Sequence, residues 1–336
     1  MRAVHADWSV DPRKRWMAIA NRAGAGWRLN APEPVGDVTT LFARLQAGVR
    51  TVALGVDLPL GLPRAFVARH CGHHCFVAFL HDLASRPSFF EVCAELSDLS
   101  SSRPFYPMRG AKGMTRISHA LALDLPHADD LFRDCDRATA ERPAGCPLFW
   151  TLGANQTGKA AIAAWRDVLL PAIVSVNPPR LWPFEGDFLP LLAHGGIVIA
   201  ETYPAEALRQ LGLRLNGSKR RQSDRIALVP ALHGVLHRLA VIPSPACLDA
   251  LTQGFGADAA GEDRLDCVLG VLAVINVLAG HRPDGIPDDP WLRHWEGWVL
   301  GQTARPQPRQ TNASPYSFPP THGGQGDAGT GSGFSG

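Results

Sequence analysis

Residues 51–59 spell Thr-Val-Ala-Leu-Gly-Val-Asp-Leu-Pro, a valine-rich apolar run that ends in an acid and is bounded by Pro59. An apolar run of this length without polar alternation is typical of a strand buried on both faces, as in a parallel sheet. This stretch therefore predicts an α/β protein in which a central strand carries Asp57 at its carboxyl end.

Further segments on either side fit the same sheet. Residues 3–10 and 16–20 are short apolar segments separated by a turn signal, and together they predict a hairpin. Residues 196–201 predict another buried strand. Residues 262–278 are apolar on nearly every face beyond the first turn, which is typical of an internal helix. We expect a mixed sheet with helices on both sides.

The predicted domain is residues 1–302, with a large and mostly helical insertion at about residues 60–192. Candidate helices in the insertion are residues 71–84, 89–99, 129–140 and 156–169. On the third of these, Arg133, Asp136 and Arg137 predict a local ion-pair network, with substrate contact as the alternative. Residues 303–336 are rich in Gly, Pro, Ser and Thr. Because such a composition cannot repay the entropy of ordering, we expect a disordered tail.

Composition narrows the class of protein. Of 336 residues 46% are hydrophobic, which excludes a disordered chain, and 33 Lys+Arg against 31 Asp+Glu exclude a strongly basic nucleic-acid binder. The first ten residues lack a signal peptide's apolar stretch, and the longest apolar run, 267–280, is too short for a bilayer. Seven scattered cysteines fit reduced thiols. We expect a cytoplasmic protein without a membrane segment, its oligomeric state left open.

Carboxylates occur in apolar surroundings at four places: Asp7, Asp57, Glu201, and the helix pair Asp263 and Asp266. Each alone is commonly a helix cap or a salt-bridge partner, but a buried ionised carboxylate costs several kcal/mol without compensation. Strand ends are where open α/β sheets place ligands. Gathered together, these oxygens suit Mg²⁺ or Mn²⁺, and two such ions about 4 Å apart support phosphodiester hydrolysis.

Several motifs together carry a resemblance to a known family. They are DLPLGLP at 57–63, ETYPAE at 201–206, DRLD at 263–266, ADWS at 6–9, RDCDR at 133–137, GANQ at 153–156, WPFEG at 182–186 and SKRR at 218–221. Over about residues 3–302 the chain resembles domain-of-unknown-function family 429, described as predicted ribonuclease H-like nucleases. The resemblance implies a ribonuclease H-like fold, with the first strand's acid beside the fourth strand's acid and the last helix closing the site.

Carried over to this chain, the resemblance implies a metal-binding set of Asp7, Asp57, Glu201 and Asp266, with Asp263 as the substitute for Asp266. These acids would also be the catalytic groups. The implied activity is that of a divalent-metal-dependent nuclease or phosphodiesterase, a hydrolase with a two-metal mechanism, Mg²⁺ or Mn²⁺ as cofactor, and nucleic acid or a nucleotide as substrate.

Two basic segments, residues 13–15 and 219–225, are candidates for holding phosphates, and solvated surface is the alternative. Lys219 follows Glu201 by one helix and a loop. We therefore predict Lys219 as the catalytic cation that stabilises charge near a phosphate.

Other functions stay open. A nucleotide-binding phosphotransferase of the actin-like group needs glycine-rich turns after its strand acids, and residues 7–10 contain no glycine. A non-catalytic binding or scaffold protein would give each acid a structural partner. The run HCGHHC at 70–75 suggests zinc, but it lacks a second ligand pair at a known spacing, so buried thiols are the alternative.

Overall fold

The computed structural model describes residues 1–153 and 157–307. Within them the strands are β1 (Arg2–Asp7), β2 (Trp16–Ala23), β3 (Gly26–Leu29), β4 (Glu33–Pro34), β5 (Thr51–Asp57), β6 (Arg180–Leu181), β7 (Gly196–Glu201) and β8 (Val241–Pro243). The helices are α1 (Leu41–Gln46), α2 (Arg64–His70), α3 (Phe76–Leu83), α4 (Arg116–Ala122), α5 (Thr157–Ala164), α6 (Leu170–Ile173), α7 (Phe188–Ala193), α8 (Pro204–Gln210), α9 (Gln222–Arg238), α10 (Pro245–Thr252) and α11 (Gly261–Leu278).

The strands form one mixed sheet in the order β6-β7-β5-β1-β2-β3-β8, and β4 pairs with β2. β1, β5, β7 and β6 run parallel to one another, whereas β2 is antiparallel to both β1 and β3. Helices cover both faces, so the α/β prediction with a mixed sheet is confirmed. The predicted hairpin forms, although β1 ends at Asp7 and β2 continues to Ala23.

The two faces of the sheet carry side chains of different size. Toward α11 the strands present small residues: Ala3, Ala18, Ala20, Ala53 and Ala200. The other face presents larger ones: Val4, Leu54, Val56, Ile197 and Ile199. Because small side chains let a helix approach a sheet closely, α11 packs directly on β1, β2 and β5. The first turn of α11 is thereby held next to the carboxyl end of β1.

Gly270 on α11 lies where the helix crosses the fully buried His5 of β1. A Cβ atom at Gly270 would stand 2.1 Å from the nearest ring carbon of His5. We therefore expect Gly270→Ala to lower the free energy of unfolding by about 1–3 kcal/mol through overpacking. Gly234→Ala on α9 is the matched control, because its Cβ meets nothing within 4 Å and alanine favours the helix. Urea unfolding in which both variants lose stability equally would contradict this packing.

The insertion is less helical than predicted. Residues 89–99 and 129–140 are not helices but contain short 3₁₀ turns joined by extended chain. The reason is tertiary pairing that local propensity does not show: Val92 bridges Phe105, and the backbone N–H of Asp134 donates to Glu296. The predicted helix 71–84 begins only at Phe76, since the residue before it is fully extended.

Folded structure continues past the predicted boundary at residue 302. Pro306 bridges Thr139, and the backbone N–H of Gln307 donates to the carbonyl of Ala138 at 2.8 Å. The rest of the predicted tail, from residue 308 on, lies outside the described residues, as do residues 154–156 of the GANQ motif. No helix in the described ranges combines the length and apolar character that a membrane crossing needs.

Candidate active site

Asp7 and Asp57 end the adjacent parallel strands β1 and β5 and are paired in register. Asp7 lies four residues after Ala3 and Asp57 four residues after Ala53, both of which face α11, so strand alternation points both carboxyl groups to that side. The two carboxyl groups act on each other, and a close contact between two carboxyl groups is favourable only when one of them carries a proton. Burial, followed by the charge of Asp57, raises the pKa of Asp7 well above its usual value. Burial and the charge of Asp266 raise the pKa of Asp57 to about 7.

Asp266 reaches the same place from the first turns of α11. Its oxygens lie 2.6 and 2.7 Å from Nζ of Lys219, which approaches from the loop before α9. Burial raises the pKa of Asp266 to about 6 even though Lys219 opposes the shift. Burial favours the neutral amine of Lys219, but the charge of Asp266 outweighs it and raises the lysine pKa. Asp263, one helical turn earlier, is half-buried, and burial raises its pKa too.

The cluster therefore holds more acid than base. Asp7, Asp57 and Asp266 face one ammonium group, and in the described part of the chain no lysine or arginine forms an ion pair with Asp7 or Asp57. Carboxylates removed from water repel one another strongly unless a proton or a cation lies between them. Hard oxygen donors without a basic partner are the chemistry that Mg²⁺ and Mn²⁺ prefer, so Asp7 and Asp57 fit a divalent cation.

Glu201 points to the other face of the sheet from these acids, although its charge still helps to raise the pKa of Asp57. It is in register with Val56 rather than with Asp57, and alternation directs it to the opposite face of the sheet. There the guanidinium of Arg133 donates to both carboxylate oxygens at 2.6 and 2.8 Å, and the N–H of Leu60 donates at 2.8 Å. Burial raises the pKa of Glu201 although Arg133 opposes it. The four predicted ligands thus divide into a cluster around Asp7 and a separate Glu201 ion pair.

Arg133 is the residue of this region whose role the sequence did not reveal. It is 1% exposed and also donates to both oxygens of Asp136 at 2.8 Å, so the predicted local pair exists but extends to Glu201. Donor atoms of Cys135, Asp136 and Glu201 lie within 4.8 Å of one another, as in a metal site. Arg133 already donates to all four carboxylate oxygens, and burial raises the pKa of the Cys135 thiol well above its usual value. This group is therefore an ion-pair network.

A cavity of about 480 Å³ opens beside the acid cluster of Asp7, Asp57 and Asp266 and beside the Arg133 network. The residues that line it include Asp57, Glu201, Lys14, Tyr203 and Cys146. Its volume lies in the range of small-molecule pockets. Asp57 is the member of the Asp7 cluster that lines this cavity, so a ligand there meets the paired carboxyl groups from the Asp57 side.

The basic segment at residues 219–225 is used internally rather than held out for phosphate. Arg225 is buried and donates to the carbonyls of Gly254 and Gly256. Arg221 pairs with Asp224 at 2.7 Å. Lys219 alone of this segment belongs to the acid cluster, where it stays charged against Asp266.

The zinc interpretation of residues 70–75 gains no support. His73 pairs with Asp82 at 3.3 Å, and Nε2 of His70 lies 2.8 Å from the carbonyl of Leu123. Burial raises the pKa of Cys71 to about 12, which keeps it a thiol. Among the described residues Cys135, Asp136 and Glu201 place three donor atoms within 4.8 Å of one another, whereas neither residues 70–75 nor Asp7, Asp57 and Asp266 form such a three-donor group.

No family model, curated protein or solved structure matches the chain.

Proposed function

We propose that the protein is a phosphodiesterase that hydrolyses a nucleic acid or nucleotide with Mg²⁺ or Mn²⁺, built on a ribonuclease H-like fold. The observation that carries the proposal is the pair Asp7 and Asp57, which end adjacent parallel strands in register and form no ion pair with a lysine or arginine among the described residues. The fold expectation from family 429 is supported by the first strand's acid lying beside the acid of β5, with α11 next to both.

In this proposal Asp7 and Asp57 would hold the cation, and its binding would displace the proton that their raised pKa values favour. A cation held there would supply an activated water and stabilise the leaving oxygen. Lys219 keeps Asp266 ionised and places a positive charge beside the cluster. A second cation would need Asp266 to leave Lys219, so the arrangement favours a single place for a cation, formed by Asp7 and Asp57.

One observation favours a non-catalytic binding or scaffold protein instead. Glu201 and Asp266 both have a basic partner, Arg133 and Lys219 respectively, as a purely structural role would require. The two functions differ at Asp7 and Asp57, because a scaffold has no use for a divalent cation there. A measurement of metal binding therefore distinguishes the phosphodiesterase from the scaffold.

Metal binding should depend on pH in a defined direction. The pKa of Asp57 is about 7 in the folded protein and about 4 in an unfolded chain, so between these values folding takes up protons. The contribution of Asp57 to stability is therefore lost as pH rises through about 7. Because the cation competes with the proton, Mn²⁺ is expected to raise Tm more at about pH 8 than at about pH 5.5.

Thermal melts with and without millimolar Mn²⁺ measure this effect. Asp57→Asn is the matched variant and should remove the Mn²⁺ response at both pH values. A Tm that ignores Mn²⁺ at every pH, or an unchanged response in Asp57→Asn, would support the scaffold and overturn the proposed function.

A further inference from the structure

Residues 99–123 form a further basic region, separate from the two predicted basic segments. The stretch contains Arg103, Arg109, Lys112 and Arg116 and no aspartate or glutamate. Arg103 pairs with Glu91 at 3.0 Å. The other three cations are exposed and form no ion pair with any carboxylate in the described ranges. They therefore present a net positive charge to solvent.

The loop at residues 108–116, called here the basic loop, is held at a fixed place. The backbone N–H of Met108 donates to the carbonyl of Cys93 at 2.7 Å, and just before the loop that of Tyr106 donates to Phe149 at 2.9 Å. At the other end the guanidinium carbon of Arg116 lies 5.6 Å from the ring centre of Phe132, which directly precedes the cavity-lining Arg133, and the charge of Arg116 acts against the burial that raises the pKa of Cys146, another lining residue. The basic loop therefore borders the cavity that Asp57 lines.

A further unpaired cation reaches the cavity from the turn between β1 and β2. Lys14 lines the cavity, is exposed, and forms no ion pair with a described carboxylate. The charge of Lys14 also acts on Asp263 near the start of α11. Unpaired cations thus belong to two separate segments around the cavity, whereas the cations of residues 219–225 are mostly satisfied internally.

We propose that the basic loop and Lys14 bind the backbone phosphates of a single-stranded nucleic acid whose chain enters the cavity. The inference rests on the proposed function and names the substrate class of that same site. A mononucleotide would fill the cavity and leave Arg109 and Lys112, which are not among its lining residues, without a role. A cavity of about 480 Å³ has the size for one small ligand, which suits a flexible single strand better than a duplex.

An anionic membrane is the other partner that this surface suits, because Ile117 and Leu121 are exposed on α4 beside the same cations. The nucleic acid is favoured because α4 has only seven residues, too few for a stable interfacial helix.

The test uses the double variant Arg109→Gln/Lys112→Gln in the full chain. Binding of fluorescent oligo(dT) is measured in EDTA, where no hydrolysis occurs, over a range of salt concentrations. Each phosphate contact to a single strand contributes about 0.7 to the slope of log affinity against log salt, so the slope should fall by about 1.4. Arg28→Gln/Arg214→Gln removes two exposed cations from outside the cavity lining and should leave the slope unchanged.

The inference would be overturned if the wild-type protein did not bind oligo(dT), or if both double variants lowered the salt slope equally. It would also be overturned if binding to phosphatidylserine vesicles depended on Arg109 and Lys112 while binding to oligo(dT) did not. Hydrolysis of bis(p-nitrophenyl) phosphate with Mn²⁺ tests the proposed function separately, because this small diester does not reach the basic loop. If the protein hydrolyses the small diester but the double variant leaves the salt slope unchanged, only the inference is contradicted. If the salt slope falls but the small diester is not hydrolysed, only the proposed function is contradicted.

Discussion

Asp7→Asn is expected to lower Mn²⁺-dependent hydrolysis of bis(p-nitrophenyl) phosphate by about a thousandfold, since several kcal/mol of charge stabilisation corresponds to about that factor. Asparagine keeps the shape of the side chain and can still hydrogen-bond Asp57. It also removes one of the carboxylates that repel one another in the cluster. The variant should therefore fold normally and melt, without metal, no lower than the wild-type protein.

Asp249→Asn is the matched control, because it makes the same chemical change on the exposed surface of α10. Initial rates with Mn²⁺ and with EDTA, together with melts, separate loss of the site from loss of the fold. Wild-type rates in Asp7→Asn would rule out Asp7 as a metal ligand.

The largest expected change in stability follows from Arg133→Met. Methionine roughly preserves the buried volume but leaves Glu201 and Asp136 without the guanidinium that pairs with both. Breaking a buried ion pair from one side costs about 3–5 kcal/mol, because the remaining charge is uncompensated. Urea unfolding should show this loss at neutral pH.

Two further variants show whether uncompensated charge or lost packing causes the destabilisation of Arg133→Met. The triple variant Arg133→Met/Asp136→Asn/Glu201→Gln removes the stranded charges and should recover much of the lost stability. Arg221→Met breaks the exposed pair with Asp224 and should change stability little. If the triple variant is as unstable as Arg133→Met, lost packing rather than stranded charge is responsible.

The sequence predicts best those strands and helices whose hydrophobic pattern matches their burial in the fold. The run at 51–57 is apolar throughout and forms β5, buried on both faces. The last helix is apolar on nearly all sides and forms α11, buried beneath the sheet. The sequence predicts the insertion less well, because residues 89–99 and 129–140 have acceptable helical patterns but pair with distant groups instead: Val92 bridges Phe105, and the N–H of Asp134 donates to the carboxylate of Glu296.

In the candidate site, too, the sequence predicts some residues correctly and not others. Asp7 and Asp57 could be found because each ends an apolar strand, and parallel neighbours bring such ends together. Glu201 also ends an apolar strand, yet β7 is offset from β5 by one residue, and a single-residue offset reverses the face to which a side chain points. The partner of Glu201 is Arg133, 68 residues away, and sequence spacing carries no signal for that contact.

The central claim is that Asp7 and Asp57 together hold a divalent cation, and anomalous diffraction from crystals grown with Mn²⁺ tests it most directly. We predict an anomalous peak about 2 Å from a carboxylate oxygen of each residue. The peak should be lost in Asp7→Asn crystals grown in the same way. A peak at Cys135, Asp136 and Glu201 instead, or no peak between Asp7 and Asp57 at saturating Mn²⁺, would contradict the claim.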